Sequence, residues 1–201
     1  MRLLVTTASP YARKASAAVI ELGLDERVEV VEVPIRLPQQ AKPDVEAANP
    51  LGKIPVLVLD DGRPIADSPV IVAYLDALAG GGLIPRGEDK WRALTLEALG
   101  DGCMDAGFVL RMEQLKPAER QDPAEIAAYQ AKIARTLDRI EADPHWLDAR
   151  FDVGQLALAC AIDWMIFREL VPDPLGGRPL LAALMAKLHE RPALAATAPR
   201  A

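Results

Sequence analysis

The chain has 201 residues, 51% of them apolar, with 23 basic against 29 acidic side chains and a formal net charge of −6. That length and apolar content are enough for sizeable packed cores, while the negative balance argues against a sequence-independent grip on nucleic acid. No apolar run approaches the roughly 20 residues that span a bilayer; the longest, Leu156 to Phe167, is broken by Asp163.

Arg2 to Thr7 reads as a strand, and its approach to polar ground at Thr6 comes too soon for a secretory signal, so a cytoplasmic protein is expected. Directly after it, Ser9-Pro10-Tyr11-Ala12-Arg13-Lys14 turns the chain into a helix over residues 11–22. Ser9 there has the form of an N-cap followed by Pro10 at the first helical position. A second strand is expected at Val28 to Val33 and a second helix at Gln39 to Ala47.

The block Asn49-Pro50-Leu51-Gly52-Lys53-Ile54-Pro55 comes next. Pro55 cannot donate to a sheet ladder, so it belongs at the start of a strand, here Val56 to Leu59. An X-Pro bond is trans by default. In the cis form, the Ile54 N–H and C=O would turn outward and could pair with an extended peptide as an added strand does. The turn Asp60-Asp61-Gly62-Arg63 leads to a short strand at Pro64 to Ala66. Asp67 and Ser68 then open a helix to Ala79, with Val70, Ile71, Tyr74, Leu75 and Leu78 at helical spacing. Asp-Ser before such a run is commonly a plain N-cap. The same position also offers free N–H groups to a carboxylate and an acid to an amine, which suits the charged ends of an amino acid.

Gly80-Gly81-Gly82-Leu83-Ile84-Pro85-Arg86-Gly87 is dense in helix-stopping residues and marks a domain boundary, with residues 1–79 before it and 88–201 after it. The first part alternates strand and helix, a βαβ unit followed by a ββα unit, which gives a mixed sheet covered by helices. Beyond the linker the apolar periodicity is helical throughout, and the second domain is expected to be all α. Asp152-Val153-Gly154-Gln155 has the form of a capping box, with Gln155 reaching back to Asp152. Cys103 and Cys160 lie in apolar helical stretches without Cys-x-x-Cys spacing, so buried reduced thiols are expected. With only His145 and His189 available, no zinc constellation and no bound metal are expected.

The ordered set of Ser9-Pro10-Tyr11-x-Arg13-Lys14, the Asn49 to Pro55 segment and Asp67-Ser68 resembles the glutathione S-transferase superfamily. The likeness extends to the closing Arg191-Pro192-Ala193-Leu194 and Ala196-Thr197-Ala198-Pro199, and so covers essentially the whole chain. It implies an α/β thioredoxin-like N-terminal domain and an all-α C-terminal domain. The family more often carries Ser or Thr and Asp where this chain has Asp152 and Gln155. Glutathione is the implied co-substrate, a small electrophile the partner substrate, and a homodimer the implied assembly. The dimer would join the N-terminal domain of one subunit to the α domain of the other.

Carried onto this sequence, the resemblance makes Ser9 the group that stabilises the glutathione thiolate, with Tyr11, Thr6 and Thr7 as alternative donors. Lys53, Ile54, Pro55, Asp67 and Ser68 would hold the tripeptide, with Lys53 or Lys42 facing its glycyl carboxylate. The absence of Cys at position 9 argues against disulfide exchange. Arg13 is either a surface residue or part of a dimer edge. The electrophile pocket is expected between the domains, at Tyr11, Met104, Asp105, Phe108 and Met112, with Asp101, Val109 and Arg111 nearby. A Met and aromatic stripe at this spacing also suits a plain core, and the charged set Asp101, Asp105 and Arg111 suits a polar second substrate or a dimer contact. The expected activity is transfer of the glutathione thiolate to the electrophile. The alternatives are a non-enzymatic member that binds glutathione or a protein, and a glutathione-dependent isomerase or dehalogenase, because a fold does not fix a function.

Overall fold

In the computed structural model, which describes residues 1–33, 43–147 and 150–200, the chain opens on strand β1 (Arg2–Val5) with Leu3, Leu4 and Val5 buried. The strand ends two residues before the sequence pattern does. The chain turns at Thr7 and Ala8, and the Ser9 N–H donates to the Thr6 carbonyl at 3.1 Å. Helix α1 (Pro10–Glu21) starts from that turn and returns the chain to strand β2 (Glu29–Glu32), parallel to β1. Such a parallel pair needs an intervening crossover, which α1 supplies.

Helix α2 (Pro43–Ala48) is the described part of the second expected helix; the earlier part, with Lys42, lies outside the described residues. Strand β3 (Val56–Val58) runs antiparallel to β1 and pairs with β4 (Pro64–Ile65), giving the sheet order β2-β1-β3-β4. Gly62, at φ +86°, takes the left-handed backbone that the β3–β4 turn requires. Helix α3 (Ser68–Leu78) packs against α1, burying Ile71, Val72 and Leu75 while α1 buries Ala12, Ala15, Ala18 and Val19. Each fully buried Leu or Ile is worth about 1.5–3 kcal/mol. Buried Asp76 in α3 accepts the Leu83 N–H at 2.7 Å, which fastens the glycine-rich linker to the unit.

The chain divides into two compact units, Met1–Gly87 with the residues from Glu190 onward, and Glu88–His189. The closing residues, expected in the second domain, therefore belong to the first. The cause is polar as well as apolar: Arg191 forks onto both carboxylate oxygens of Glu21, and Arg13 donates to the Leu194 carbonyl at 3.2 Å from helix α8 (Pro192–Ala196). Arg13 is thus neither a surface residue nor a dimer-edge group but a buried one that holds α8 on α1.

The second unit contains helices α4 (Asp89–Gln114), α5 (Pro123–Glu141), α6 (Val153–Phe167) and α7 (Pro179–His189), with single 3-10 turns at Ala118–Arg120 and Pro144–Trp146. α6 is apolar all round and buried along nearly its whole length, as a central helix must be. Glycines let α4 and α6 approach closely: a Cβ on Gly154 would stand 2.6 Å from the Ala93 carbonyl oxygen, and one on Gly100 2.9 Å from the Ala157 backbone. Asp152 caps α6, its Oδ1 accepting from the N–H groups of Gly154 at 2.9 Å and Gln155 at 3.1 Å. Its other oxygen pairs with buried Arg92. The Gln155 side-chain amide donates to the Leu147 carbonyl at 3.1 Å, joining the start of α6 to the end of the preceding 3-10 turn.

Candidate functional site

Sheet register brings three segments to one end of the first unit. β3 pairs with β1 through Leu4 and Val56, so continuing the ladder sets Ile54 level with Thr6, just before the turn into α1. β3 also pairs with β4 through Leu57 and Ile65, so the same continuation sets Asp67 and Ser68 level with Pro55 and Ile54. Ser9, the Ile54-Pro55 step and the start of α3 therefore gather where β1 ends and β3 begins.

At the first of these, Ser9 has extended backbone (φ −97°, ψ 125°) and its Oγ accepts the Ala12 N–H at 3.3 Å. Capping uses the oxygen as acceptor and leaves the hydroxyl hydrogen to donate elsewhere. Ser9 is half-buried, as is Tyr11. Thr7, one of the alternative donors, gives its hydroxyl hydrogen to Glu32 at 3.2 Å.

At the second, the Ile54-Pro55 bond is cis, as is Ala66-Asp67. The backbone N–H and C=O of Ile54 have no hydrogen-bond partner among the described residues. The loop before it is fixed by Asn49, a residue whose role sequence reasoning missed. Its buried side chain donates to the Lys53 carbonyl at 2.9 Å and accepts the Leu51 N–H at 3.1 Å. Gly52, at φ +63°, closes the same turn with its N–H on the Asn49 carbonyl at 2.7 Å. An Asn followed three residues later by Gly is a legible turn signal. Lys53 itself is exposed.

At the third, Asp67 stands at the N-cap position of α3, yet its side chain makes no capping hydrogen bond. The carboxylate is exposed and has no partner among the described residues, whereas the neighbouring Ser68 is buried. The first N–H groups of α3 have no carbonyl one turn earlier to bond, so this corner presents an acid beside unfilled donors.

The expected pocket residues on α4 differ among themselves. Asp105 and Phe108 are exposed and Met112 is half-buried, but Met104 has no exposed surface and stands in the core instead of on a pocket wall. The helical spacing that places 104, 108 and 112 on one stripe cannot tell which of them is covered. Arg111 does not join Asp101 and Asp105; its one hydrogen-bond partner among the described residues is Gln114, at 3.2 Å. Among the described residues no three acids, cysteines or histidines are grouped to hold a metal, and no helix is long and apolar enough to cross a membrane.

The glutathione S-transferase N-terminal domain family matches residues 8–78, the stretch that contains all three segments. The chain is 35% identical over 204 aligned residues to the uncharacterised GST-like protein YibF of Escherichia coli (strain K12), covering 99% of this chain and 98% of that one. A crystal structure of a glutathione transferase family member from Pseudomonas fluorescens Pf-5 with bound glutathione is 37% identical, covers 100% and 99% of the two chains, and superposes with a TM-score of 0.93. A second structure from that organism holds S-(propanoic acid)-glutathione, at 36% identity, full coverage of both chains and a TM-score of 0.88. With its four-stranded N-terminal sheet unit and helical second unit, the chain belongs to the glutathione S-transferase family.

Proposed function

We propose that this protein is a glutathione transferase that joins the glutathione thiolate to a small electrophile. The observation that carries the reading is the Asp67 carboxylate, held at a helix start that it does not cap, level with Pro55 and so one residue along from the unpartnered backbone of Ile54. An acid so placed takes the ligand's ammonium. The N–H groups opening α3, with Ser68, take the adjacent carboxylate, and the Ile54 N–H and C=O pair with the peptide backbone. Lys53 stands beside this segment as the cation for the far carboxylate.

Chemistry requires the thiolate, and a free thiol of pKa about 8.5 is only a few per cent ionised at neutral pH. Lowering that pKa by about two units needs roughly 2.7 kcal/mol of preference for the anion. A hydrogen bond from the Ser9 hydroxyl to the charged sulfur, about 1.5–3 kcal/mol, together with the positive end of α1, is of that size. The relative bound to S-(propanoic acid)-glutathione supports the reaction class, since that compound is a thioether, the kind of product that attack by sulfur on carbon leaves. The electrophile is proposed to meet Asp105, Phe108 and Met112 on α4, and the molecule to act as a homodimer in the cytoplasm.

Calorimetric titration with glutathione tests the binding step. Asp67→Ala is expected to lose roughly 10- to 100-fold in affinity, the equivalent of about 1.5–3 kcal/mol for a charged hydrogen bond. Unchanged affinity in that variant would sink the assignment. A model-electrophile assay on the same samples then separates a transferase from a binder without turnover.

A further inference from the structure

A cavity of about 340 Å³ lies wholly within the second unit, where the first turns of α4 meet the 3-10 turn Pro144–Trp146. Buried Arg92 builds it: its guanidinium pairs with Asp152 and donates to the Trp146 carbonyl at 3.5 Å, which holds the 3-10 turn on α4. Asp143 braces the same turn, accepting the His145 N–H at 3.1 Å. Two indoles, Trp91 and Trp146, line the cavity, with the His145 ring tilted at 58° to that of Trp146 and 6.2 Å from it. Trp91 is 62% exposed, a large apolar surface left in water, and the Lys90 ammonium stands 5.7 Å from its ring centre. Glu88 and Asp89 complete the α4 side of the lining. Glu88 makes no capping hydrogen bond, and neither carboxylate has a partner among the described residues.

Acids at a helix start offset its dipole without any ligand. That role does not account for the cavity beside them, which has the size of a small-molecule site and is walled by aromatic rings. Asp152 matches the Arg92 charge, and Lys90 is one cation against two free acids, so negative charge stands beside π surfaces, a combination that attracts an organic cation. The geometry points to a binding site for a small primary ammonium with an aromatic body, its N–H groups on the Glu88 and Asp89 carboxylates and its ring against Trp91 and Trp146. Thr95, the last α4 residue of the lining, stands about 15 Å of helix before Asp105, so the site is separate from the proposed electrophile pocket and stands without glutathione.

Calorimetry on the full chain with 2-phenylethylammonium, the neutral 2-phenylethanol and the anionic 3-phenylpropanoate, each with and without glutathione, tests the proposal. The expected result is saturable binding of 2-phenylethylammonium that glutathione leaves unchanged and salt weakens, about tenfold weaker binding of the alcohol, and none of the anion. Trp91→Ala and the double variant Glu88→Gln with Asp89→Asn should each lose about three- to tenfold, while Asp105→Asn should bind the ammonium as wild type does. All four residues are exposed, so the variants should keep their helical circular dichroism; if Trp91→Ala does not, the double variant decides. No saturable binding, alcohol or anion held as tightly as the ammonium, displacement by glutathione, or affinity unchanged in the double variant would each overturn it. A loss in Asp105→Asn that the double variant does not share would overturn it as well, by putting the ammonium in the electrophile pocket.

Discussion

Ser9 caps α1 and is proposed to hold the thiolate with the same hydroxyl, and the two roles can be pulled apart by measurement. As the cap of α1 it accepts the Ala12 N–H, so Ser9→Ala should lower stability by about 1 kcal/mol, read as a fall in the melting temperature. As the proposed thiolate donor it should also hold down the pKa of bound glutathione. The variant's rate at neutral pH should then fall and recover at high pH, where hydroxide supplies the anion. Coincident pH–rate profiles with only a stability loss would move the activating role to Tyr11 or a backbone N–H. Cys103 gives a contrasting case: burial pushes its thiol up to about 11 from an ordinary 9.0, partly offset by a side-chain contact with Thr136. A pKa raised on folding gives stability that is full below pH 9 and is lost as pH climbs toward 11, by roughly 2–3 kcal/mol for two units. Chemical denaturation at pH 8 and pH 11 should show that fall, and native protein at pH 8 should leave Cys103 unmodified by thiol reagents; rapid labelling would contradict it. The places of Ser9 at a helix cap, Asp67 at a helix start and Ile54 before a proline at a strand start were legible in the sequence because caps, helix starts and X-Pro steps are local signals. Whether the Asp67 side chain caps its helix is not local, since an Asp at that position can close on its own backbone or face outward.

The same limit governs the elements. Alternating strand and helix before the linker, and helical spacing after it, made the four strands, α1, α3 and the helical second unit legible. That α8 returns to the first unit was not, because Arg191 meets Glu21 and Arg13 meets Leu194 across more than 150 positions of sequence. The seam between α4 and α6 was hidden for the same reason. Asp152 looked like a cap and is one, but it is also the buried partner of Arg92, and the two roles separate by substitution. Asp152→Asn keeps an oxygen for the Gly154 and Gln155 N–H groups while leaving Arg92 unpaired, so it should cost about 3–5 kcal/mol, the usual penalty for stranding a buried charge. Asp152→Ala adds the lost cap, about 1 kcal/mol more. Urea denaturation of both variants checks the order; an Asn variant as stable as wild type would mean that the ion pair contributes nothing net.

For the molecule as a whole, the proposed homodimer makes a prediction that the single chain's surface supports. Leu51, in the turn that Asn49 holds, is 74% exposed, and Val70 in α3 is 51% exposed, large apolar groups left in water on the first unit. Two-fold pairs are the commonest assemblies, and in them every contact occurs twice. Burying one Leu side chain is worth about 1.5–3 kcal/mol, so removing both copies from a symmetric interface weakens it by about 3–6 kcal/mol. That is roughly 10²- to 10⁴-fold in dissociation constant, enough to move a micromolar sample from dimer to monomer. Light scattering should therefore give wild type a mass near twice 21.7 kDa and Leu51→Asp a mass near 21.7 kDa. Leu51 lies on the surface of its own chain, so the variant should keep its helical circular dichroism, which separates dissociation from unfolding. A wild-type mass of one chain across micromolar concentrations rejects the dimer, and a Leu51→Asp protein that stays dimeric places the interface elsewhere on the molecule.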